Sequence, residues 1–246
     1  MHHKISFSFV YVCEKCIHWD VLLRRPLSES ILTYFHHRIT LNDEWQTVAQ
    51  NQKLSEPFIR QYLDKLPWEY ILRYQQLSEA FIVEFVSSFD DWENVWTHQK
   101  LSERFIRDHV KEDHLCYVFR FQTVSEAFME EYASTSEHWE SISQQRGLSE
   151  EYMNKFADEL DWYYIIERQK LSVQFIENHT DKIYWSQIMY RQKLSESLIW
   201  KYATKSDWQS ILHHQGMSPK FKEQMLACIS ANANCGPKGH FCGVSR

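Results

Sequence analysis

Apolar positions return along this chain at a nearly fixed interval. A Leu-Ser pair, or its Val-Ser or Met-Ser equivalent, opens at Leu27, Leu54, Leu77, Leu101, Val124, Leu148, Leu171, Leu194 and Met217, in steps of 27, 23, 24, 23, 24, 23, 23 and 23 residues. Counted from that first residue, apolar side chains fall at offsets 0, 4, 5, 8 and 9, which lie together on one face of a helix. Offset 4 holds Ile31, Phe58, Phe81, Phe105, Phe128, Tyr152, Phe175 and Leu198, and offset 8 holds Phe35, Tyr62, Phe85, His109, Tyr132, Phe156, His179 and Tyr202. The Ser at offset 1 has the chemistry of an N-cap, a Glu usually follows where the helix dipole favours a carboxylate, and Pro57 and Pro219 fit a first turn. We name this predicted element the A helix.

A second set of columns starts at Trp45, Trp68, Trp92, Trp139, Trp162, Trp185 and Trp208, with Leu115 in the remaining place. Three residues later comes Val48, Ile71, Val95, Val118, Ile142, Ile165, Ile188 or Ile211, on the same helical face. This is the predicted B helix, for which Asp91, Asp161 and Asp207 are the expected caps. Each A–B pair is too short to be stable alone, so stability has to come from stacking on neighbouring pairs. The expected architecture is therefore all-α, a right-handed α-solenoid of about eight two-helix repeats of 23–24 residues. The first repeat is four residues longer, which predicts a longer connection or an extra helical turn around residues 36–43. Residues 17–25 read as a B helix without its partner and residues 217–229 as an A helix without one. This gives an N-terminal cap segment over 1–16, a repeat domain over 17–229 and a flexible tail over 230–246.

The recurring phrase Gln-Lys-Leu-Ser-Glu-x-Phe-Ile followed by a hydrophobic-Asp-Trp helix resembles the short Leu-Ser-Glu repeats of proteins from large DNA viruses, some phages and bacteria. The resemblance covers residues 17–229 and is clearest over 54–75, 171–192 and 194–215. It implies an interaction scaffold, carries no catalytic residues with it, and is weakest around Leu115 and Val124.

Composition narrows the function classes. A formal charge of -6 and the lack of a continuous Lys/Arg track oppose nucleic-acid binding, including the rival reading of paired B-helix positions as a base-reading array. No apolar run reaches the roughly 20 residues of a membrane span. The six cysteines sit mostly at the ends, which is no disulfide framework, and a reducing cytoplasm is the expected location. Cys13, Cys16 and His18, with Cys235, His240 and Cys242, are of zinc-ligand type, but the two groups lie at opposite ends of the array; no metal or cofactor is expected. Nor is there a phosphate loop, GxSxG or HExxH, so no enzyme is expected. His109 and His179 occupy an aromatic core column and are expected to pack as aromatics.

Two polar columns remain. Gln52, Gln75, Gln99, Gln122, Gln169, Gln192 and Gln215 follow the B-helix start by seven residues, with Arg146 in the eighth place. A binding ladder is one reading; a backbone-tying cap between neighbouring repeats is the expected one. Positions two and six of the B helix are neutral, aromatic or hydrogen-bonding, and Tyr70, Tyr74, Asn94, His98, Tyr117, Phe121, Tyr164, Arg168, Gln187 and Arg191 are the candidate partner-binding residues. Part of these rows can instead pack on neighbouring helices, because spacing alone does not fix helix rotation. The expected function is a scaffold for a protein or peptide along a concave B-helix face. A virion or assembly component and a single-stranded nucleic-acid binder are the alternatives, and the oligomeric state is open.

Overall fold

The computed structural model describes residues 18–203 and 207–230. The predicted cap segment, Cys13, Cys16, Cys235, His240, Cys242 and all of the predicted tail but Ser230 lie outside the described residues. The chain divides into two compact units, the first ending at Ser125 and the second beginning at Glu126. Every regular element among the described residues is helical, and no helix there is long and apolar enough to cross a membrane.

In the first unit the helices are α1 (Trp19–Leu22), α2 (Glu29–Tyr34), α3 (Asn42–Asn51), α4 (Glu56–Gln61), α5 (Trp68–Tyr74), α6 (Glu79–Phe89), α7 (Trp92–His98), α8 (Glu103–His109) and α9 (Leu115–Phe121). In the second they are α10 (Glu126–Tyr132), α11 (Ser136–Ser143), α12 (Glu150–Lys155), α13 (Trp162–Arg168), α14 (Val173–Asn178), α15 (Trp185–Arg191), α16 (Glu196–Tyr202), α17 (Trp208–His214) and α18 (Pro219–Ser230). From α2 on, even numbers are A helices and odd numbers B helices. The predicted starts hold: the hydroxyls of Ser28, Ser55, Ser78, Ser102, Ser149, Ser172 and Ser195 each accept the amide N–H three residues on. Only one of the three Asp caps forms. Asp161, in extended backbone, accepts from the Tyr163 amide at 2.9 Å. Asp91 and Asp207 leave that geometry, at ψ 50 and ψ -17, and do not cap with their side chains; Asp91 instead accepts from Asn94 Nδ2 at 2.9 Å.

Packing follows the columns. The aliphatic three places into each B helix, from Val48 to Ile211, is fully buried in every repeat. The B-helix Trp rests on the offset-8 aromatic of the next A helix in the repeats where both are described: Trp19 on Phe35 at 5.3 Å between ring centres, Trp45 on Tyr62 at 5.3 Å, Trp68 on Phe85 at 6.2 Å, Trp139 on Phe156 at 4.8 Å and Trp185 on Tyr202 at 3.8 Å. His109 and His179 do behave as aromatics here, at 5.7 Å from Trp92 and 4.9 Å from Trp162. Successive B helices also touch directly, α3 to α5 to α7 to α9 in one unit and α11 to α13 to α15 to α17 in the other.

The buried Gln column ties these joints. Gln75 Nε2 donates to the carbonyls of Ala49 and Gln52 at 2.6 and 2.7 Å, while its Oε1 accepts the Leu54 amide at 2.9 Å. Gln52, Gln99, Gln122, Gln192 and Gln215 repeat the pattern, and Gln169 does so through Gln145 O, Gly147 N and Leu148 N. One side-chain amide therefore satisfies the end of the preceding B helix and the entry to the following A helix, groups that burial would otherwise strand. A second ladder runs beside it. The carboxylates of Glu29, Glu56, Glu79 and Glu103 in one unit, and of Glu126, Glu150 and Glu196 in the other, accept the amide of the Ser that opens the next repeat. These glutamates, read from the sequence as caps of their own helices, are cross-repeat rungs. Val173 stands where the rung to Ser195 belongs.

Departures from a 23-residue step have local solutions. The first repeat, four residues longer, carries a 3-10 turn at His36–Arg38 in the connection between its helices. Each repeat of 24 residues contains one residue in the left-handed region, Asp90 at φ 46 and Gly147 at φ 84, and among the described residues these are the only two.

Replacing Gln99 by Leu strands the Leu77 amide and removes a donor from the Leu72 and Gln75 carbonyls, so chemical denaturation should show a loss of about 3 kcal/mol. A loss below about 0.5 kcal/mol would show that water replaces the clamp at little cost. Conversely, Val173→Glu restores a rung and should stabilise by about 1 kcal/mol in the same assay.

Candidate functional site

The exposed face of the B helices is built by what the other faces are doing. Among the described side chains of the B helices other than α11, positions zero, three, four and seven are committed to the core or to the Gln clamp, which leaves one, two, five and six outward, two adjacent rows on a 3.6-residue helix; in α11 Ser141 at position two is buried and Arg146 at position seven is exposed. In the first unit Tyr70, Asn94, His98 and Tyr117 are half-buried, and Tyr74 and Phe121 are exposed. In the second, Tyr164 and Gln187 are half-buried and Arg168 and Arg191 exposed. The sequence-selected residues therefore sit at the surface and not inside the stack.

Contacts within each unit join them. In the first, the rings of Tyr70 and Tyr74 lie 6.0 Å apart, and the Arg73 guanidinium stands 5.7 Å from the centre of Tyr74. His98 lies within reach of Arg73 on α5 and Asp91 on its own helix; burial first, and then the Arg73 charge, hold its pKa below the usual histidine value against the opposing pull of Asp91. The Tyr117 hydroxyl is hydrogen-bonded to Glu93, which raises its pKa above the ordinary phenol value. Thus α5, α7 and α9 present one connected polar and aromatic surface. In the second unit Gln187 Nε2 donates to Tyr163 O at 2.9 Å, Arg191 approaches Glu167 at 3.6 Å, and Tyr190 lies 5.4 Å from His214, which joins α13, α15 and α17.

Several members of this surface were not selected from the sequence. Arg73, Arg120, Glu167 and Tyr190 occupy position five, and Glu93 and Tyr163 position one. The signal was present, because positions one and five flank positions two and six on a helix; following two columns instead of a face missed it. A further feature with no counterpart in the sequence reading is a shallow cavity of about 570 Å³ in the second unit, lined in part by Glu140, Glu159, Asp161, Asp181, Trp162 and Tyr184. It lies at the start of the B helices, away from the C-terminal turns that hold Arg168 and Arg191. Among the described residues no group of three or more His, Cys, Asp or Glu is arranged to hold a metal ion, and Cys116 is a free, half-buried thiol.

On the A helices the charged outer wall is more ordered than a solvated face. Arg60 pairs with Glu84 in the first unit, and Lys155 with Glu130 in the second, each across a repeat boundary. Such exposed pairs contribute at most about 1 kcal/mol each. Comparison with known proteins finds no match to this chain among family models, curated proteins or solved structures.

The arrangement around His98 predicts a titration. Arg73→Ala removes a cation that disfavours the imidazolium, so the His98 pKa should rise toward its ordinary value, as followed by NMR of the ring carbons and protons. With the folded pKa depressed, stability from this group is full above the ordinary histidine pKa and falls as pH drops through the folded value; the variant should show less of that fall. An unchanged His98 titration would place Arg73 out of electrostatic reach.

Proposed function

We propose that the chain is a right-handed α-solenoid acting as a non-enzymatic scaffold that holds a protein or peptide along the B-helix face. The observation that carries this reading is the connected surface of α5, α7 and α9, where Tyr70, Tyr74, Tyr117 and Phe121 combine area with hydrogen-bonding capacity. Tyrosine-rich surfaces make contact area at low conformational cost. A rigid, preformed face binds without ordering itself, because the clamps and rungs already fix its helices. Continuation of the sequence repeat through both units supports the solenoid, and the Leu-Ser-Glu phrase supports membership of the viral and phage repeat group.

The test pairs shape with capture. Small-angle scattering should give a radius of gyration well above the roughly 18 Å of a compact globule of this length; a value near that figure would overturn the solenoid. In affinity capture, a protein partner that survives nuclease should lose at least tenfold in affinity when Tyr70→Ala and Tyr74→Ala are combined, with an unchanged melting curve. Full retention of the partner by that variant would remove the B-helix face of the first unit from the binding surface.

A further inference from the structure

The C-terminal turns of the first unit's B helices carry a charge pattern that the stack itself does not use. Each of four successive repeats places one cation there, in the last turn or the loop that follows: Lys53 after α3, Arg73 in α5, Lys100 after α7 and Arg120 in α9. All four are exposed, and none makes an ion pair among the described residues. The last turns of the same helices contain no Asp or Glu. Carboxylates at the start of the neighbouring A helices, Glu56, Glu79 and Glu103, direct an oxygen to the amides of Ser78, Ser102 and Ser125. Elsewhere in this unit arginines do find partners, Arg60 with Glu84 and Arg107 with Glu103. In a chain of net charge -6, one unpaired cation at the same end of each of four successive B helices stands out. The row is flanked by exposed aromatic side chains, Tyr74 and Phe121.

Resting on the B-helix reading above, we infer that this row docks an acidic peptide in an extended conformation, with a carboxylate at every third residue. The spacing argument is geometric. Adjacent packed helices stand about 8 to 10 Å apart, so one cation per repeat gives that period along the stack. A polyproline-II segment advances about 9 Å in three residues and returns to the same face with each three-residue turn, so every third side chain meets the next repeat. Residues between the carboxylates face Tyr74 and Phe121, where apolar or aromatic types gain contact. A single-stranded nucleic acid fits less well. Its phosphates are set more closely than one per repeat, and the same helices begin with Glu69, Asp91 and Glu93, which oppose a polyanion wider than the row.

The experiment uses the full chain and three fluorescein-labelled probes in anisotropy titrations. One is a twelve-residue-class peptide with Glu at every third position and Leu or Tyr between; the second has the same composition with its glutamates clustered; the third is oligo(dT) of similar length. The periodic peptide should bind at least about tenfold tighter than either of the others, and raising salt from about 50 to 300 mM should weaken it severalfold. Combining Arg73→Glu with Arg120→Glu should cost at least about tenfold, whereas Arg104→Glu with Lys111→Glu, the same charge change off the row, should cost less than about threefold. Circular dichroism and denaturation of each variant establish that the fold is kept. Equal binding of the clustered peptide, tighter binding of oligo(dT), no binding at about 1 mM, or indifference to the row variant in a folded protein would each overturn the inference. If a captured partner depends on Tyr70 and Tyr74 but not on Arg73 and Arg120, the acidic-peptide inference falls and the face remains; if it depends on neither, the reading of the face itself falls.

Discussion

A side-chain amide clamped onto backbone at seven of the repeat junctions is the constraint on which the rest of this fold depends. Helices of six or seven residues cannot hold themselves in water, and the turns between them bury peptide groups that no helix satisfies. Gln answers both ends with one group, two donors and one acceptor in a fixed plane. Glu would place oxygen against the carbonyls of the preceding helix, and an aliphatic residue would leave them without a donor. The clamp also sets where the Trp of each B helix lands, because it fixes the helix end seven residues away. The Glu-to-Ser rungs and the cross-repeat ion pairs then act on a register already set.

Much of this architecture was legible in the sequence, for a physical reason. Where every unit must bury the same face against a copy of itself, the core columns have to recur at one period, so Trp45, Val48, Phe58 and Tyr62 are visible as classes before any geometry is known. The clamp was legible too, because a Gln at a fixed place in a buried repeat has few other uses. The rungs were not: a Glu at the first turn is already explained by the helix dipole, and that local explanation hid the partner 22 to 26 residues away. The Asp caps failed for a similar reason. Whether Asp91 can cap depends on its backbone ψ, which composition does not encode.

The candidate face was legible in outline and incomplete in detail. Positions two and six marked an outward side of the B helix, while Arg73 and Glu93, which act on His98 and Tyr117, lie one row over. Their charge made them look like ordinary solvated surface. Their placement became informative when the A-helix wall proved to pair charges across repeats and the B-helix ends of the first unit did not.

The direction of the clamp has a consequence for how the molecule is made. Each Gln belongs to the end of its own repeat and closes the loop that precedes that repeat, as Gln75 does for the Ala49 to Leu54 segment. A ribosome delivers the loop first and its lock about twenty residues later. At each clamped junction, then, the loop is made before the side chain that satisfies it, and its buried peptide groups wait for the end of the next repeat.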